Sequence, residues 1–198
     1  MGKKPNLRDF TGQKALEYEQ DKNLKKLQLE TTLRSITLLN EDKNYSKDIE
    51  ILDIGCGTGW TIEFLMENGY KNIVGIDNSE DMLNIAKIKG LEVFLADIIE
   101  GLAFPNDHFH AIISISVINF IVDDISSPKE YLNNIIFVCD EIYRVLKSGG
   151  RAVIQYFKNN SFEKAVSNGF KHAGFNGYIV IDDKDLRKEK RFFILDKE

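Results

Sequence analysis

The sequence predicts a single α/β domain built on a mostly parallel sheet with helices on both faces. Three observations predict it: short β-rich runs alternate with helical segments, the runs are continuously apolar, and the 198 residues contain no linker-like segment. Alternation of this kind with apolar strands is typical of a parallel sheet that is buried on both faces. Ligands of such sheets bind at the carboxyl ends of the strands.

The elements follow in order along the chain. We expect a loose tail at 1–12, an amino-terminal helical cap at 13–48, with helical spacing of apolar residues from Tyr18 to Leu39, and the core at 49–198. Five strands are predicted within the first part of the core, at 49–54, 72–76, 91–95, 110–116 and 151–156. Helices are predicted from about 59, at 80–88, at 128–147 and over 162–173. The last strands, at 178–181 and 192–195, are joined by a charged connection and are expected to pair antiparallel.

Bulk composition limits the class of protein. Charged residues make up 29% of the chain, the net charge is −5, and no apolar run is long enough to span a membrane. We therefore expect a cytoplasmic protein, nuclear as well if the organism is eukaryotic. The acidic balance is a poor footprint for a protein that holds nucleic acid unaided, because phosphate contacts dominate such binding.

Cysteine and histidine residues give no sign of a metal centre. Cys56 and Cys139 lie far apart without a CxxC pair, so we expect neither a zinc site nor a disulfide framework. Cys139 falls on the apolar stripe of the 128–147 helix and is predicted to lie in the core. His108 and His110 come just before the fourth strand, where surface roles are favoured over catalysis.

The most informative motif is ILDIGCGTGW at residues 51–60. Gly55, Gly57 and Gly59 follow a predicted strand and precede a predicted helix. Glycines at such a turn bring bare backbone N–H groups against a ligand, and the amino end of the helix adds positive potential. The G-x-G-x-G spacing differs from the dinucleotide fingerprint and from the phosphate-binding loop, so the loop alone is a weak signal.

Two aspartates strengthen that signal. Asp77 ends the second strand, where an acid can accept hydrogen bonds from both ribose hydroxyls. Asp97 follows the third strand, where a carboxylate can take the exocyclic amine of adenine. Taken singly, each aspartate is better interpreted as a helix cap or a turn former. Together with the glycine loop, at successive strand ends, they favour a bound nucleoside.

With these residues the chain resembles the class I S-adenosylmethionine-dependent methyltransferases from about residue 49 onwards, and LKSGG at 146–150 is similar to their usual LKPGG. The resemblance implies a doubly wound, seven-stranded, mostly parallel sheet with an antiparallel last strand, and S-adenosylmethionine as cofactor. It implies that Asp77 and Asp97 hold the adenosyl group, with the methionine end near Asp53 and the glycine loop. The cofactor-binding residues it implies are Asp53, Gly55, Cys56, Gly57, Gly59, Asp77, Asn78, Asp97, Ile98 and Ser114.

Several methyl-acceptor chemistries leave marks that this chain lacks. After the fourth strand it has SISVINF in place of the [DNS]PPY of amino-group methylation. Neither Cys56, in the glycine loop, nor Cys139, in a helix, stands where cytosine C5 methylation places its nucleophile. The clustered carboxylates of metal-assisted catechol chemistry cannot be assembled either.

A finer resemblance covers nearly the whole chain. FHAIISISVINF, RAVIQYF and HAGFNGYIVIDD followed by KEKRFFIL are similar to segments of the small-subunit rRNA guanine-N7 methyltransferases of eukaryotes and their archaeal relatives. Tyr18 and Gln28 match the amino-terminal spacing of that family. Phe157 and Lys158 stand where the family has a Tyr-Pro turn.

This finer resemblance implies how the acceptor is met. Asn119 and Phe120 stand at the Gln-Trp positions of the family, where they would position the acceptor by bonding a base edge and stacking on its face. The small polar residues Ser114 and Ser116 would leave room where the two substrates meet. Guanine N7 carries an unprotonated lone pair at neutral pH, so no general base is expected. The alternative for Phe120 is core packing.

The resemblance also implies two partners. One is rRNA or a pre-ribosomal particle, and the other is a small zinc-binding activator subunit that forms a heterodimer at the third-strand edge, LEVFLADI. Two other functions stay open. One is a small-molecule methyltransferase, which the acidic charge favours. The other is an assembly factor that binds S-adenosylmethionine without needing to catalyse.

Overall fold

The structure is a computed structural model and describes residues 10–120, 127–184 and 189–198. Seven strands form one sheet: β1 Glu50–Ile54, β2 Asn72–Asp77, β3 Val93–Leu95, β4 Phe109–Ile115, β5 Leu146–Tyr156, β6 Asn176–Asp182 and β7 Lys190–Asp196. Their order across the sheet is β3-β2-β1-β4-β5-β7-β6. β7 runs antiparallel to both of its neighbours, whereas the other pairs are parallel. The predicted seven-stranded fold is confirmed.

Helices cover both faces of the sheet. They are α1 Gln13–Gln20, α2 Lys22–Asn40, α3 Trp60–Glu67, α4 Glu80–Ile88, α5 Pro128–Val145 and α6 Asn160–Ala173. One apolar layer joins the sheet to α5 and α6 and contains Cys139, which is buried as predicted. The other layer joins the opposite face to α2, α3 and α4. None of the described helices is both long and apolar enough to cross a bilayer.

Helix boundaries follow local signals where those signals are strong. α4 begins after Ser79, whose hydroxyl accepts a hydrogen bond from the backbone N–H of Met82, and it occupies the predicted residues. The predicted helix over 18–39 is instead two helices. They divide at Asp21, whose carboxylate accepts hydrogen bonds from the N–H groups of Asn23 and Leu24 and so starts α2.

The start of β5 differs from the prediction. α5 was expected to reach residue 147 and the strand to begin at 151, but α5 ends at Val145 and β5 begins at Leu146. Leu146 already pairs with Phe109 of β4, and the register shifts before Arg151 pairs with Ala111. Gly149, at φ 80°, allows the chain to bend within the strand. The sequence pattern predicts that Gly149 and Gly150 end the helix. Pairing with β4 instead places both glycines inside β5.

A pocket at the carboxyl ends of the strands

A pocket of about 540 Å³ opens where the parallel strands end. Three parts of the chain line it. They are the loops after β1 and β2, the loops after β4 and β5 together with the start of β7, and side chains of the amino-terminal segment and α2. The predicted site residues Gly55, Cys56, Gly57, Asp77, Asn78 and Phe120 are among the lining residues. The predicted residues Asp53, Gly59, Asp97, Ile98, Ser114 and Asn119 are not among them.

The glycine loop after β1 is held in one conformation by its neighbours. The backbone N–H groups of Gly55 and Cys56 both donate to the carbonyl of Ile76, at 2.8 and 2.9 Å. Gly55 has a φ of 75°, and a Cβ atom added there would lie 2.1 Å from a methyl group of Val117. Only glycine fits at that position, because both the backbone angle and the close approach exclude a side chain.

Asp77 links the glycine loop to the end of β2. One carboxylate oxygen accepts a hydrogen bond from the N–H of Gly57 and the other from the N–H of Ser79, both at 2.9 Å. Burial raises the pKa of Asp77, and the backbone hydrogen bonds from Ser79, Gly57 and Asn78 oppose that increase. The carboxylate therefore shapes the loop and also faces the pocket.

Asp53 is held very differently, within the sheet. Its side chain is 2% exposed, and its Oδ2 atom has no hydrogen-bond partner among the described residues. Burial, followed by the charge of Asp77, raises the pKa of Asp53 to about 8. Burial therefore favours the protonated form of this carboxyl group, and its Oδ2 atom has an unused hydrogen-bonding capacity next to the glycine loop.

Asp97 and its neighbours lie beside the pocket wall. The Asp97 carboxylate accepts a hydrogen bond from the Asn78 side chain at 3.3 Å and from the N–H of Ile99 at 3.2 Å. The second bond caps a short 3-10 helix, Ile98–Glu100, in which Ile98 is buried in the core. Asp97 thus acts as a helix cap in this structure and reaches the pocket through Asn78.

Ser114 and Ser116 separate at the end of β4. Ser114 is buried and donates a hydrogen bond to the carbonyl of Ile54 at 2.9 Å, which ties β4 to β1 behind the pocket. Ser116 lines the pocket with a left-handed backbone (φ 62°) and donates a hydrogen bond to the side-chain oxygen of Gln155 at 2.8 Å. The room attributed to both serines is therefore provided at Ser116 only.

Asn119 and Phe120 also separate. Phe120 is half-buried and lines the pocket, so it is not a residue of the described core. The Asn119 amide instead bonds the backbone of Phe157, donating to its carbonyl at 3.1 Å and accepting from its N–H at 2.6 Å. The amide therefore joins the loops after β4 and β5.

The pocket contains aromatic residues that sequence reasoning did not assign to the site. Trp60, the first residue of α3, is buried, and its indole N–H has no partner among the described residues. Tyr18 of α1 stacks on it with ring centroids 4.5 Å apart, and Phe10 contacts Tyr18 edge to face. The single tryptophan directly after the glycine loop was the available signal. The start of β7 gave none, yet Glu189 and Lys190 line the pocket.

The described residues contain no group of three or more His, Cys, Asp or Glu side chains that could hold a metal ion. His110 lies in β4, away from the pocket, and its Nδ1 atom accepts a hydrogen bond from the N–H of Glu50 at 3.1 Å. Burial lowers the pKa of His110, and the nearby charge of Lys147 lowers it further. The titratable groups on the pocket wall are Tyr18, Cys56, Asp77, Glu189 and Lys190.

Comparison with known sequences reveals clear relatives. A family model described as a methyltransferase domain matches residues 52–154. The 18S rRNA (guanine-N7)-methyltransferase of Bos taurus is 30% identical over 98% of this chain and 70% of its own length. The 18S rRNA (guanine(1575)-N7)-methyltransferase of Saccharomyces cerevisiae is 31% identical over 90% of this chain and 64% of its own length. The chain thus spans about two thirds of these relatives.

Solved structures share the fold at low sequence identity. A putative S-adenosylmethionine-dependent methyltransferase of Methanococcus maripaludis superposes with a TM-score of 0.69 at 17% identity, covering all of this chain and 96% of its own. The geranyl diphosphate C-methyltransferase of Streptomyces coelicolor, solved with S-adenosyl-L-homocysteine, has the same TM-score at 12% identity, covering 94% of this chain and 83% of its own.

Proposed function

We propose, since this chain belongs to the family of 18S rRNA (guanine-N7)-methyltransferases, that it transfers a methyl group from S-adenosylmethionine to N7 of a guanine in small-subunit rRNA. One observation of the structure supports this proposal most directly. The pocket joins an acid-and-glycine half, at the ends of β1 and β2, to an aromatic half at the ends of β4 and β5. The first half suits an adenosylated amino acid and the second suits a flat base.

The acid-and-glycine half fits S-adenosylmethionine. Gly55 presents bare backbone to the pocket, because a Cβ atom there would clash with Val117, and Asp77 presents a carboxylate at the ribose position of the fold. Three buried polar atoms beside the loop have no partner among the described residues: Asp53 Oδ2, Thr58 Oγ1 and Trp60 Nε1. Together they offer an acceptor for an ammonium group and donors for a carboxylate, which is the donor set that the methionine end requires.

The remaining predicted cofactor residues have indirect parts in this proposal. Cys56 and Asn78 line the pocket, Asp97 accepts a hydrogen bond from Asn78, and Ile98 is buried in the core. Gly59 starts α3, where a Cβ atom would lie 2.2 Å from Leu91, so it serves helix packing. Ser114 fixes β4 against β1, which sets the distance between the two halves of the pocket.

The acceptor half has a simple chemical task. S-adenosylmethionine, when bound, would supply an electrophilic methyl carbon to the guanine N7 lone pair, and the C–S bonding pair would leave with sulfur as a neutral thioether. The reaction removes no proton from N7, so alignment and exclusion of water are what the chain's residues must provide. Phe120 provides a flat apolar wall for this purpose, and Ser116 leaves space beside it.

The test is to map N7-methylguanine in rRNA from cells with and without this gene. The mark should be absent at one position in the deletion strain and return when the wild-type gene is restored. An unchanged map would rule out the proposed substrate. The site of action would be the cytoplasm, and the nucleus as well in a eukaryotic cell.

Two alternatives keep specific support. The net charge of −5 favours a small-molecule acceptor, and methylation of a metabolite by the purified chain in the absence of RNA would select that function. The second alternative is an assembly factor that binds the cofactor without needing to catalyse. In that case an Asp77→Ala variant that has lost cofactor affinity would still support ribosome maturation. Loss of maturation together with the methyl mark would favour the enzyme.

We also propose that the chain forms a heterodimer with a small zinc-binding activator subunit at the β3 edge. In the described sheet β3 pairs only with β2, and its outer residues Phe94 and Leu95 are 49% and 58% exposed. Ile88, Ile99 and Phe137 add exposed apolar surface nearby. An open, apolar edge of this kind is suited to a covering protein.

This partnership can be tested by copurification from native cells. A Leu95→Glu variant should lose a small zinc-containing subunit, whereas Tyr178→Glu on β6, at the opposite edge, should retain it. Isolation of the wild-type chain as an active monomer with no bound zinc subunit would contradict the heterodimer.

A further inference from the structure

We infer that Asn119 is a positioning residue that aligns the rings of Phe120 and Phe157 into a corner for the acceptor purine. The inference rests on the proposed function and deepens it. It assigns a second aromatic wall, Phe157, to the acceptor site, and it gives Asn119 a task other than direct contact with the base.

The Asn119 amide forms two hydrogen bonds with the backbone of Phe157. Its Nδ2 atom donates to the carbonyl of Phe157 at 3.1 Å, and its Oδ1 atom accepts from the N–H of the same residue at 2.6 Å. The side chain thus pairs with one residue through both of its groups, as a neighbouring strand would. A base edge that bonded this amide would have to compete with both bonds. The pair fixes the backbone from which the Phe157 ring projects.

The second observation is the geometry of the two rings. The ring centroids of Phe120 and Phe157 are 6.5 Å apart, and the ring planes meet at 76°. Both rings line the pocket, and Phe157 is 52% exposed although it is apolar. A perpendicular pair with open faces can stack on a flat heteroaromatic ring with one member and meet its edge with the other. The corner therefore favours a purine, which offers the larger stacking area.

The third observation is a second tie between the same loops. Ser116 donates through its hydroxyl to the Gln155 side-chain oxygen at 2.8 Å and through its N–H to the Gln155 carbonyl at 3.3 Å. Its left-handed backbone, at φ 62°, is uncommon for serine and persists because these bonds hold it. The following turn closes with a hydrogen bond from the Phe120 N–H to the Val117 carbonyl at 2.9 Å. The two ties, from Ser116 before this turn and from Asn119 within it, set the angle of the corner.

A double-mutant cycle separates positioning from direct contact. Asn119→Ala, Phe157→Leu and the double variant are compared with the wild-type chain in binding a purine oligonucleotide, oligoadenylate, with S-adenosylhomocysteine present. Each single change should weaken binding about tenfold, the scale of one stacked base. The double variant should be no weaker than the worse single variant, because Asn119 acts through Phe157.

Three controls make the result specific. Phe157→Tyr keeps the ring and should restore wild-type affinity. S-adenosylhomocysteine affinity should stay unchanged in every variant, which excludes a general loss of folding. Wild-type affinity for oligouridylate should be lower than for oligoadenylate, and the Phe157→Leu change should remove that preference.

The outcomes test the aromatic corner separately from the proposed methylation of rRNA. Additive losses in the cycle would mean that Asn119 contacts the base itself and would overturn the inference, as would single variants that bind like the wild type or a wild-type chain without purine preference. Coupled losses in a chain whose deletion leaves rRNA methylation unchanged would leave the corner standing and remove the proposed substrate. An intact methylation result with additive losses would do the reverse.

Discussion

Two aspartates beside the glycine loop show how environment divides one residue type into two roles. Asp77 is satisfied by backbone N–H groups and faces the pocket, whereas Asp53 is buried with an unpartnered oxygen. The sequence indicated Asp77 by its place at the end of β2, whereas Asp53, inside β1, was implied by the family resemblance. The sequence could not predict the difference in protonation, since that depends on how deeply the folded sheet buries each carboxyl group.

The raised pKa of Asp53 has a consequence for stability. Between about pH 4 and pH 8 the folded, cofactor-free protein holds a proton that the unfolded chain releases. This group therefore makes the free energy of unfolding fall as pH rises, by up to about 1.4 kcal/mol per pH unit. We expect Asp53→Asn to flatten that fall, as measured by urea unfolding between about pH 5 and pH 8. Parallel pH profiles for the variant and the wild type would contradict the assignment.

Asp77 should matter for ligand affinity. Asp77→Ala removes the acceptors for Gly57 and Ser79 together with a pocket carboxylate, so we expect at least a tenfold loss of S-adenosylmethionine affinity by calorimetry. The matched control is Asp48→Ala, which removes an exposed aspartate paired with Lys71 and should bind as the wild type does. Equal affinities for the two variants would refute the cofactor role of Asp77.

At the scale of elements, boundaries set by neighbouring residues were predicted from the sequence, whereas those set by distant strands were not. α4 was predicted with the observed bounds because its cap and its apolar stripe are both local. The early start of β5 and the left-handed turn at Ser116 could not be read from the sequence, because they depend on pairing with β4 and on Gln155. The same holds for Glu189 and Lys190, which reach the pocket only because β7 runs antiparallel. Local sequence patterns therefore predict elements with local caps, but not features that depend on pairing between distant strands.

The last strand is tied to α2 by a buried arginine. Arg151 of β5 is 4% exposed and donates to the Asp196 carboxylate at 2.9 Å and to the carbonyls of Leu38 and Glu41. Although burial acts to raise the pKa of Asp196, the bonds from Arg151 and Lys43 lower it overall. The stabilisation from this group is present above its unfolded pKa and is lost as pH falls.

Removing that arginine should therefore be costly. We expect Arg151→Met to lower the free energy of unfolding by about 3 kcal/mol, since it removes the bidentate partner of Asp196, leaving Lys43 to pair with it, and the donor to two carbonyls at the end of α2. Lys71→Met breaks an exposed pair with Asp48 and should cost less than about 1 kcal/mol. Urea unfolding of both variants at neutral pH measures the contrast, and similar losses would show that Arg151 is no special anchor.

At the scale of the whole molecule, the site is assembled from both ends of the chain. β1 lies between β2 and β4 in the sheet, so the two halves of the pocket, proposed for cofactor and acceptor, meet at the point where strand order reverses. The amino-terminal segment adds Phe10, Tyr18 and α2 to the pocket. Backbone hydrogen bonds of Phe10 and Gly12 with the side chains of Ser79 and Asp81 hold the residues before α1, and Lys89 pairs with Glu19 of α1 at 2.8 Å. Ligand binding should therefore stabilise the molecule as a unit.

A thermal shift measures this coupling. At about 100 times its dissociation constant, S-adenosylhomocysteine should add about 2.7 kcal/mol to the free energy of unfolding and raise the melting temperature by several degrees. Tyr18→Ala removes the ring stacked on Trp60 and should reduce the shift at the same ligand concentration. A full shift in that variant would show that α1 does not contribute to the pocket.

The reversed direction of β7 has an evolutionary consequence. Because that strand runs against its neighbours, Glu189 and Lys190 line the pocket far along the chain from the proposed cofactor residues between Asp53 and Asp77. Substitutions in this short carboxy-proximal stretch can therefore change which acceptor is recognised, without any change in the residues proposed to bind the methyl donor.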